Sequence, residues 1–591
     1  LLMNEQTSWD FTRIFKTKED YDKCFSKVEN SFKELSKFQG NLNNKENVLN
    51  FLKQEESSEE LFAKLFTYSS MHFDQNQKDP SNQVLRGKVM DLYGKYIQAT
   101  SFSNSEIIAN GTENLESWSK EKEFKPYSYV LKRLIKNQNH ILSAKEESII
   151  ANYANVTNSL TDLYDMAAVA DSKDNEVTFS TGETTTINHA NYGFYLQSLT
   201  SQDDRRIAFE AMFKPFDDLK NTFAGIYSGI VQSNIAQMKN RGYSSILSSF
   251  LDDNDIPESV YLSLLNTVHK RSQVVKDYYK LKKDFLNLET FHTYDRFVKL
   301  AKSDIKYTYE QGKEVFWEAC NNIGGDFVKK AHEVLEPGRV DVYHQDGKRS
   351  GAYSTGFYDL GPYILLNYND TFSDVFTLAH EAGHSIHTML ANENNTYFNS
   401  NYTIFVAEIA STFNEQMLQD YFMSKDIDHN TKLFLLQSAA DDIIGTFYRQ
   451  ALFADYEYQA HNLALNGTPL TAEALEKLMT DLYQEYYGID LNNEPYKNNV
   501  WAYIPHLFHS PFYVYQYATC LACSIAIYSK VKNHEPNALE NYFNMLKAGG
   551  SDFPMNIVAL GGVDLTSSEP FEAVFDRLEY LISEIKKELK K

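Results

Sequence analysis

The sequence contains little cysteine, little proline and no excess of positive charge. Its 591 residues include 4 cysteines and 13 prolines, and 57 lysines and arginines stand against 80 aspartates and glutamates, for a net charge of -23. Four cysteines are too few to cross-link a chain of this length, which favours a reducing, cytoplasmic compartment. The charge has the wrong sign for gripping a phosphate backbone, so we expect no nucleic-acid partner.

We also expect neither an export signal nor a membrane span. The first fifteen residues place Glu5 and Asp10 where a signal peptide needs a basic start and an unbroken apolar run. The stretch 498–529 contains no Asp, Glu, Lys or Arg and is longer than the ~20 residues of a membrane helix. It also carries prolines, histidines and tyrosines, whose polar groups suit a buried helix beside a polar cavity. We therefore expect no membrane partner.

Helical patterning dominates what is present. The segments 147–170 and 259–286 space their apolar residues by three and four, which predicts amphipathic helices. Hydrophobic residues make up 42% of the chain and charged residues 23%, a balance that allows a large buried core. No linker of low complexity separates modules. The sequence predicts a mostly α protein.

Two segments depart from the helical pattern. Residues 174–187 combine β-branched residues with a glycine turn, which predicts a short hairpin. Residues 338–368 contain five glycines among alternating Val, Tyr and Ile, which predicts a small sheet. Because this sheet directly precedes the strongest chemical motif, we expect an extended peptide to pair with it along the strand PYILLNY, residues 362–368.

That motif is His380-Glu381-Ala-Gly-His384. On a helix the two histidines lie one turn apart on the same face, so both imidazoles can reach one metal ion. Glu381 then stands beside the open coordination position, which is the arrangement of a zinc hydrolase. Upstream, Thr371 and Asp374 have the spacing of a capping box, which predicts where the helix begins.

A catalytic zinc site needs a third protein ligand. The metzincin pattern is excluded, because it requires a glycine where this chain has His387 and a histidine where it has Leu390. Glu408 is the better candidate, in a second helix over 403–424 that Thr403 would cap. Glu415 falls on the same face as Glu408, where it could hydrogen-bond a ligand imidazole. We interpret His387 as a cleft or supporting residue.

The strings HEAGHSIH and FVAEIASTFNE resemble the thimet oligopeptidase and oligopeptidase F family of zinc metallopeptidases, and most closely its oligopeptidase F branch. Further strings, from TSWDFTRIF near the start to LKAGGSDFP at 546–554, extend the likeness over nearly the whole chain. The resemblance implies a two-lobed helical metallopeptidase with a deep substrate channel and a small β-sheet beside the metal-binding helix. It further implies an N-terminal helical lobe at 1–200, a catalytic domain at 201–591, and internal cleavage of short oligopeptides in the cytoplasm.

The resemblance also implies roles for individual residues. It makes His380, His384 and Glu408 the ligands of one Zn²⁺ per chain, with Glu381 as the catalytic base. It implies that a histidine and tyrosines late in the chain stabilise the oxyanion, and the matching positions are His509, Tyr513 and Tyr517. His506 and Tyr515 lie close enough in sequence to exchange roles with them.

Two other functions stay open from the sequence. A zinc carboxypeptidase or dipeptidase would need a charged group that holds a terminal carboxylate or amine, and no such group can be located from the sequence. A helical peptide-binding protein without turnover is less consistent with the presence of all four core groups, because an inactive relative would usually have lost one. The sequence indicates no oligomeric state.

Overall fold

The computed structural model describes residues 6–591, except for the side chains of Ala144, Glu147, Ser148, Ala151, Asn155 and Asn498. Residues 1–5 lie outside the described residues. They include Glu5, on which the expectation of no signal peptide partly rests. Helices make up most of the described chain, and its strands form only two small sheets. The mostly α prediction is confirmed.

The helices of the first part of the chain are α1 (Lys18–Ser36), α2 (Lys45–Gln75), α3 (Pro80–Thr100), α4 (Ser103–Ile108), α5 (Thr112–Ser119), α6 (Ser128–Asn137), α7 (Ala144–Asn152), α8 (Ala154–Asp165), α9 (Tyr192–Ser198), α10 (Gln202–Asp218), α11 (Lys220–Asn240), α12 (Ile246–Leu251), α13 (Glu258–Phe285), α14 (Tyr309–Asn321) and α15 (Gly325–Glu333). Those of the second part are α16 (Phe372–Asn394), α17 (Tyr397–Ser400), α18 (Ile404–Ala407), α19 (Ile409–Met423), α20 (His429–Ile443), α21 (Arg449–Leu465), α22 (Ala472–Tyr487), α23 (Val500–Tyr503), α24 (His506–His509), α25 (Tyr515–Lys532), α26 (Ala538–Lys547), α27 (Pro554–Leu560) and α28 (Glu569–Leu589). The strands are β1 (Asn175–Thr178), β2 (Thr184–Ile187), β3 (Val340–Asp341), β4 (Tyr353–Phe357) and β5 (Gly361–Leu365).

The predicted helices are present with one interruption. The segment 259–286 forms the single helix α13. The segment 147–170 is divided among α7, α8 and a π-helical turn at Met166–Ala170. No helix within residues 6–591 is long and apolar enough to cross a membrane.

The chain divides into two compact units, each assembled from separated segments. The first unit contains residues 6–139, Asp304–Lys425 and Ile527–Val563, and the second contains His140–Ser303, Asp426–Ala526 and Asp564–Lys591. The predicted boundary at residue 200 and the predicted substrate channel stay predictions.

In the first unit, a hydrophobic core joins α1 to α6, and a smaller one lies under the sheet. Phe32, Phe51 and Leu65 are buried members of the larger core. The smaller core packs Trp9 and Met71 against side chains of β4 and β5. A buried ion pair between Lys348 Nζ and Asp341 Oδ1, at 2.6 Å, ties the loop before β4 to β3.

The predicted sheet is present in the first unit, with the strand order β3-β5-β4. β5 pairs in parallel with β3 and antiparallel with β4. The expectation that a peptide pairs along PYILLNY is wrong, because β5 lies in the centre and both of its backbone edges are already paired. Among the described strands, β3 and β4 form the two edges of this sheet, and β4 is the longer of them.

The start of α16 is fixed by its N-cap residue, Thr371. Thr371 Oγ1 accepts a hydrogen bond from the backbone N–H of Asp374, and Asp374 Oδ2 accepts one from the N–H of Thr371, both at 3.1 Å. This is the predicted capping box, which satisfies donors that the first helical turn leaves unpaired. The body of α16 then packs on β4 and β5, as the sequence indicated.

The helices α16 and α19 approach each other at Gly383. A Cβ atom at this position would lie 2.5 Å from the carbonyl oxygen of Ala410 and 2.8 Å from the Cα of Ser411. The side-chain amide of Asn414 donates a 2.8 Å hydrogen bond to the carbonyl of Ala379 at the same crossing. Backbone therefore packs directly against backbone, which only glycine allows.

The second unit contains the predicted hairpin, with β1 and β2 antiparallel over Asn175–Thr178 and Thr184–Ile187. Two of its buried cations are paired with aspartates. Arg205 contacts Asp295 at 2.9 Å, and Lys282 contacts Asp441 at 3.0 Å. Both cations are almost fully buried, so these pairs avoid the cost of an isolated buried charge.

Replacing Gly383 by alanine should destabilise the first unit. The added methyl group meets backbone atoms, which cannot rotate away, so the two helices must separate, at a cost of about 1 to 3 kcal/mol for overpacking. We expect a lower thermal unfolding midpoint together with weaker divalent-metal binding, measured by calorimetry and metal titration.

The matched control is Gly225→Ala in α11. Nothing lies within 4 Å of a Cβ placed there, and alanine is the better helix former by about 1 kcal/mol. We expect this variant to be as stable as the parent or slightly more stable. Equal stability of the Gly383→Ala variant and its parent would refute the tight crossing.

Candidate metal site

Three predicted ligands converge in the first unit. His380 Nε2 and His384 Nε2 each lie 3.3 Å from Glu408 Oε2, and the ligand atoms of all three residues lie within 4.8 Å of one another. Zinc bonds of ~2.0 to 2.1 Å in a tetrahedron separate neighbouring ligands by ~3.3 Å. The two distances from Glu408 Oε2 therefore match the separation of neighbouring ligands around one metal ion of this size.

Glu408 lies at a break between two helices. The predicted continuous helix over 403–424 is wrong, because α18 ends at Ala407 and α19 begins at Ile409. Thr403 occupies the N-cap position of α18 without forming a side-chain cap hydrogen bond. Ser411 Oγ donates a 2.6 Å hydrogen bond to Glu408 Oε2, which orients the carboxylate. Because of this break, the Glu408 side chain can face the two histidines without being part of either helix.

Glu415 forms the predicted contact with a ligand imidazole. Its Oε1 lies 3.1 Å from His380 Nδ1, on the side of the ring away from Glu408. Burial lowers the pKa of His380, but hydrogen bonds to Glu408 and Glu415 outweigh this effect and raise it to about 11. The two imidazoles hold the pKa of Glu408 far below its usual range, against the effect of burial. The cluster thus favours a positive charge at its centre, which a divalent metal supplies.

Glu381 stands next to His380 on α16 and is nearly enclosed, with 6% of its surface exposed. Its Oε2 is buried and has no hydrogen-bond partner among the described residues. Burial raises its pKa, although the neighbouring histidines oppose the shift. A buried carboxylate oxygen without a partner is costly, unless a substrate or water molecule occupies the space beside it.

His387 is not part of the metal cluster. Its ring stacks on Tyr402 with centroids 3.6 Å apart, and neither ring nitrogen has a partner among the described residues. Burial lowers its pKa to about 3, so the ring is neutral. His387 supports the packing behind His384, in line with the prediction that it is not a ligand.

The predicted oxyanion residues lie in the second unit. Tyr513 stacks over His506 with ring centroids 6.1 Å apart, and Tyr517 packs edge-on against Tyr513 at 5.6 Å. His509 contacts Asp165 instead, with 2.6 Å between Nε2 and Oδ1. Tyr515 is 3% exposed and packs against Tyr261. Tyr513, Tyr517 and His506 thus form one cluster, and Tyr515 belongs to the core.

Glu457 is a supporting residue that the sequence analysis missed. Its carboxylate accepts a 2.9 Å hydrogen bond from the backbone N–H of Phe512, which has a positive φ of 59°. Burial raises the pKa of Glu457 far above its usual value. This hydrogen bond holds the backbone of Phe512 in its turn, and Tyr513 is the next residue in the chain. The sequence signal that could have identified Glu457 is its position in the mostly apolar run ALFADYE, residues 451–457.

A cavity of about 280 Å³ runs beside the exposed side of the sheet in the first unit. Residues of β4 and α16 line it, including Thr355, Gly356, Thr388 and Asn392. An extended peptide laid against β4 would therefore lie next to the helix that carries the candidate ligands.

Comparison with known proteins gives matches along most of the chain. Residues 195–577 match peptidase family M3, and residues 106–173 match the family described as oligopeptidase F. Oligopeptidase PepF of Bacillus subtilis is 33% identical over 589 residues, which covers 99% of this chain and 88% of that protein.

Solved structures agree with these matches. A crystal structure from Chlamydophila abortus superposes with a TM-score of 0.92 at 31% identity and covers 99% of each chain. The crystal structure of oligoendopeptidase-F from Enterococcus faecium has a TM-score of 0.74 at 27% identity, covering 97% of this chain and 99% of that one.

The Glu415→Ala variant should bind the metal more weakly. Without the carboxylate on Nδ1, the His380 ring loses its orientation and basicity, and such changes cost about 10- to 100-fold in affinity. Titration of the metal-free protein measures the effect. Glu393→Ala is the control, because Glu393 is an exposed residue of α16 that pairs with Lys330. An unchanged affinity in Glu415→Ala would show that Glu415 does not support the ligand.

Proposed function

This chain belongs to peptidase family M3, and we propose that it is a zinc-dependent endopeptidase that hydrolyses internal bonds of short oligopeptides. The observation that carries the proposal is the convergence of His380, His384 and Glu408, with the carboxylate of Glu381 beside them. None of the four cysteines forms a disulfide within the described chain, which favours a reducing compartment, and we place the enzyme in the cytoplasm.

The donor set fits one zinc ion per chain. His380, His384 and Glu408 would hold it through two imidazole nitrogens and one carboxylate oxygen, a combination that catalytic zinc sites use. When bound, zinc would polarise the peptide carbonyl and lower the pKa of a water molecule to about 7. Glu415 keeps the His380 ring in place through its contact with Nδ1.

Glu381 acts as the base. Its partly enclosed carboxylate takes the proton of the attacking water and later delivers it to the leaving amine. The raised pKa of Glu381 suits both steps, because a weakly acidic carboxyl accepts a proton more readily than an exposed one.

Tyr513 and Tyr517 supply hydroxyl donors for the oxyanion that forms on the peptide carbonyl. A phenol O–H aimed at developing charge stabilises the transition state more than the ground state. His506, packed against both rings, and His509, held by Asp165, are the histidine candidates for the same task.

The substrate is an extended peptide that adds to the edge of β4. Backbone hydrogen bonds to a strand do not depend on side-chain identity, so many peptide sequences can bind. A folded protein would first have to unfold locally, at a cost of up to ~5 to 15 kcal/mol. Short, flexible oligopeptides are therefore the substrate class that we propose.

The Glu381→Gln variant tests the proposed chemistry. The amide keeps the shape of the side chain but cannot accept the proton of water, so turnover should fall by ~10² to 10⁴ or more while zinc stays bound. Cleavage of an internally quenched peptide and metal analysis of the same sample measure both properties.

Glu393→Gln is the matched control on the same helix, and it should retain parental turnover. Near-parental cleavage by Glu381→Gln would exclude Glu381 as the base. Loss of zinc from Glu381→Gln would instead make Glu381 part of the metal-binding set.

Removing single tyrosine hydroxyls should separate oxyanion stabilisation from metal binding. Tyr513→Phe and Tyr517→Phe should lower kcat, by up to ~10² to 10³ for the hydroxyl that contacts the oxyanion, without loss of zinc. Tyr515→Phe is the control within the same segment, since Tyr515 packs in the core. Parental kcat in both test variants would transfer the role to His506 or His509.

A further inference from the structure

Two arginines from distant parts of the sequence line one pocket of the second unit. Arg296 follows the short 3₁₀ turn Thr293–Asp295, and Arg449 is the first residue of α21. The pocket has a volume of about 290 Å³ and is also lined by His189, Tyr192 and Tyr503. Arg449, His189 and Tyr503 also line an adjoining cavity of about 440 Å³ that reaches His506 and Tyr517.

Packing, and not a carboxylate, holds Arg296 in place. The residue is 7% exposed, its Nε donates a 2.9 Å hydrogen bond to the carbonyl of Thr293, and its guanidinium lies over the rings of Tyr483 and Tyr487. The neighbouring Glu494 is already engaged, because it accepts 2.7 Å and 2.6 Å hydrogen bonds from the backbone N–H and hydroxyl of Thr293.

Arg449 has even fewer partners. Its Nε is buried without a hydrogen-bond partner among the described residues. Its guanidinium lies 5.1 Å from the ring centre of Phe453. Within residues 6–591, neither Arg449 nor Arg296 forms an ion pair, whereas Arg205 and Lys282 of the same unit do. Arg296 is buried and Arg449 is half-buried with its Nε enclosed. A cation removed from water without an anion is costly, so these two sites differ from the structural charges around them.

The two positive charges act on the same small region. Burial raises the pKa of Tyr487 to about 12, and the charges of Arg296 and Arg449 both oppose that rise. The same two charges also oppose the rise that burial causes at Tyr192. Glu494 is a nearby carboxylate that acts on Arg296, and none of the residues lining the pocket is an aspartate or glutamate.

The occupant that fits is a carboxylate. A guanidinium is a planar fork that donates two parallel hydrogen bonds to a carboxylate, and such charge-assisted bonds are strong where water is excluded. The C-terminal carboxylate is the one carboxylate that every peptide carries, whatever its sequence. A peptide that ends in this pocket could continue through the adjoining cavity toward Tyr517, a residue of the proposed oxyanion group.

We propose that Arg296 and Arg449 form a subsite for the C-terminal carboxylate of peptide substrates, with Arg449 as the residue that sets the preference for a free C-terminus. The inference rests on the proposed function, because it names a feature of the same peptide substrates. Anchoring one end of the peptide gives selection by length without selection by sequence.

The test compares two peptides that share one cleavable core and differ only in ending as a free acid or as an amide. The parent enzyme should cleave the acid with about 10- to 100-fold higher kcat/KM, mostly through KM, since hydrogen bonds to a charged group contribute about 1.5 to 3 kcal/mol. In Arg449→Gln the ratio should fall to about 1. In Arg449→Lys it should be intermediate, because lysine keeps the charge but loses the fork.

Arg206→Gln is the matched control in the same unit. Arg206 is a half-buried residue of α10 that pairs with Glu210 and lines neither cavity, so its loss should leave the ratio between acid and amide unchanged. Thermal unfolding of each variant confirms that it is folded, and Arg449→Lys keeps a cation in the pocket if Arg449→Gln is unstable. An acid-to-amide ratio of 1 in the parent, or a full ratio retained in Arg449→Gln, would overturn the proposal.

Binding measured without turnover separates this inference from the proposed function. Calorimetry with the zinc-loaded Glu381→Gln protein should show tighter binding of the acid than of the amide, and the added Arg449→Gln change should remove the difference. If neither peptide is cleaved by the parent but this binding difference is present, the proposed function fails and the carboxylate subsite stands. If inorganic phosphate binds in an Arg449-dependent manner while acid and amide bind alike, the pocket takes an inorganic anion and the proposal fails.

Discussion

The candidate metal site depends on the close crossing of α16 and α19. Because Gly383 has no side chain, the backbone of α16 rests directly on Ala410 and Ser411. That approach brings Glu408 Oε2 to the same distance from both histidine nitrogens. A wider separation of the two helices would move this carboxylate away from the histidines. The geometry of the candidate metal site therefore depends on the packing of two backbones.

Two groups of charged side chains stand out in the described chain, those that pair with an opposite charge and those that keep a buried polar atom without a partner. Arg205, Lys282 and Lys348 are each matched by an aspartate, and these pairs satisfy the interior without leaving a group available. Glu381 and Arg449 each retain a buried polar atom without a partner among the described residues. An unsatisfied buried group costs stability, and a bound ligand at either place would reduce that cost.

The sequence correctly predicted the structural features that depend on residues close together in the chain. The one-turn separation of His380 and His384, the capping box of Thr371 and Asp374, and the hairpin at 174–187 all follow from residues close in the chain. The break at Glu408 was missed, because its conformation depends on Ser411 and on the histidines of another helix. The strand order was missed because β5 receives a parallel partner from Val340–Asp341. The pairing of Arg296 with Arg449 in one pocket likewise depends on the tertiary fold.

The discontinuous make-up of the two units has a consequence for synthesis on the ribosome. Residues Ile527–Val563 belong to the first unit, where α26 packs against α16, and Asp564–Lys591 belong to the second, where α28 packs against α20 and α13. Neither unit can complete its core until these late segments leave the exit tunnel. During translation α16, with its largely apolar surface, waits for a partner encoded about 150 residues downstream, a separation that slows folding in the manner of any high contact order. Nascent chains of this protein should therefore expose this apolar surface from the synthesis of α16 until that of α26.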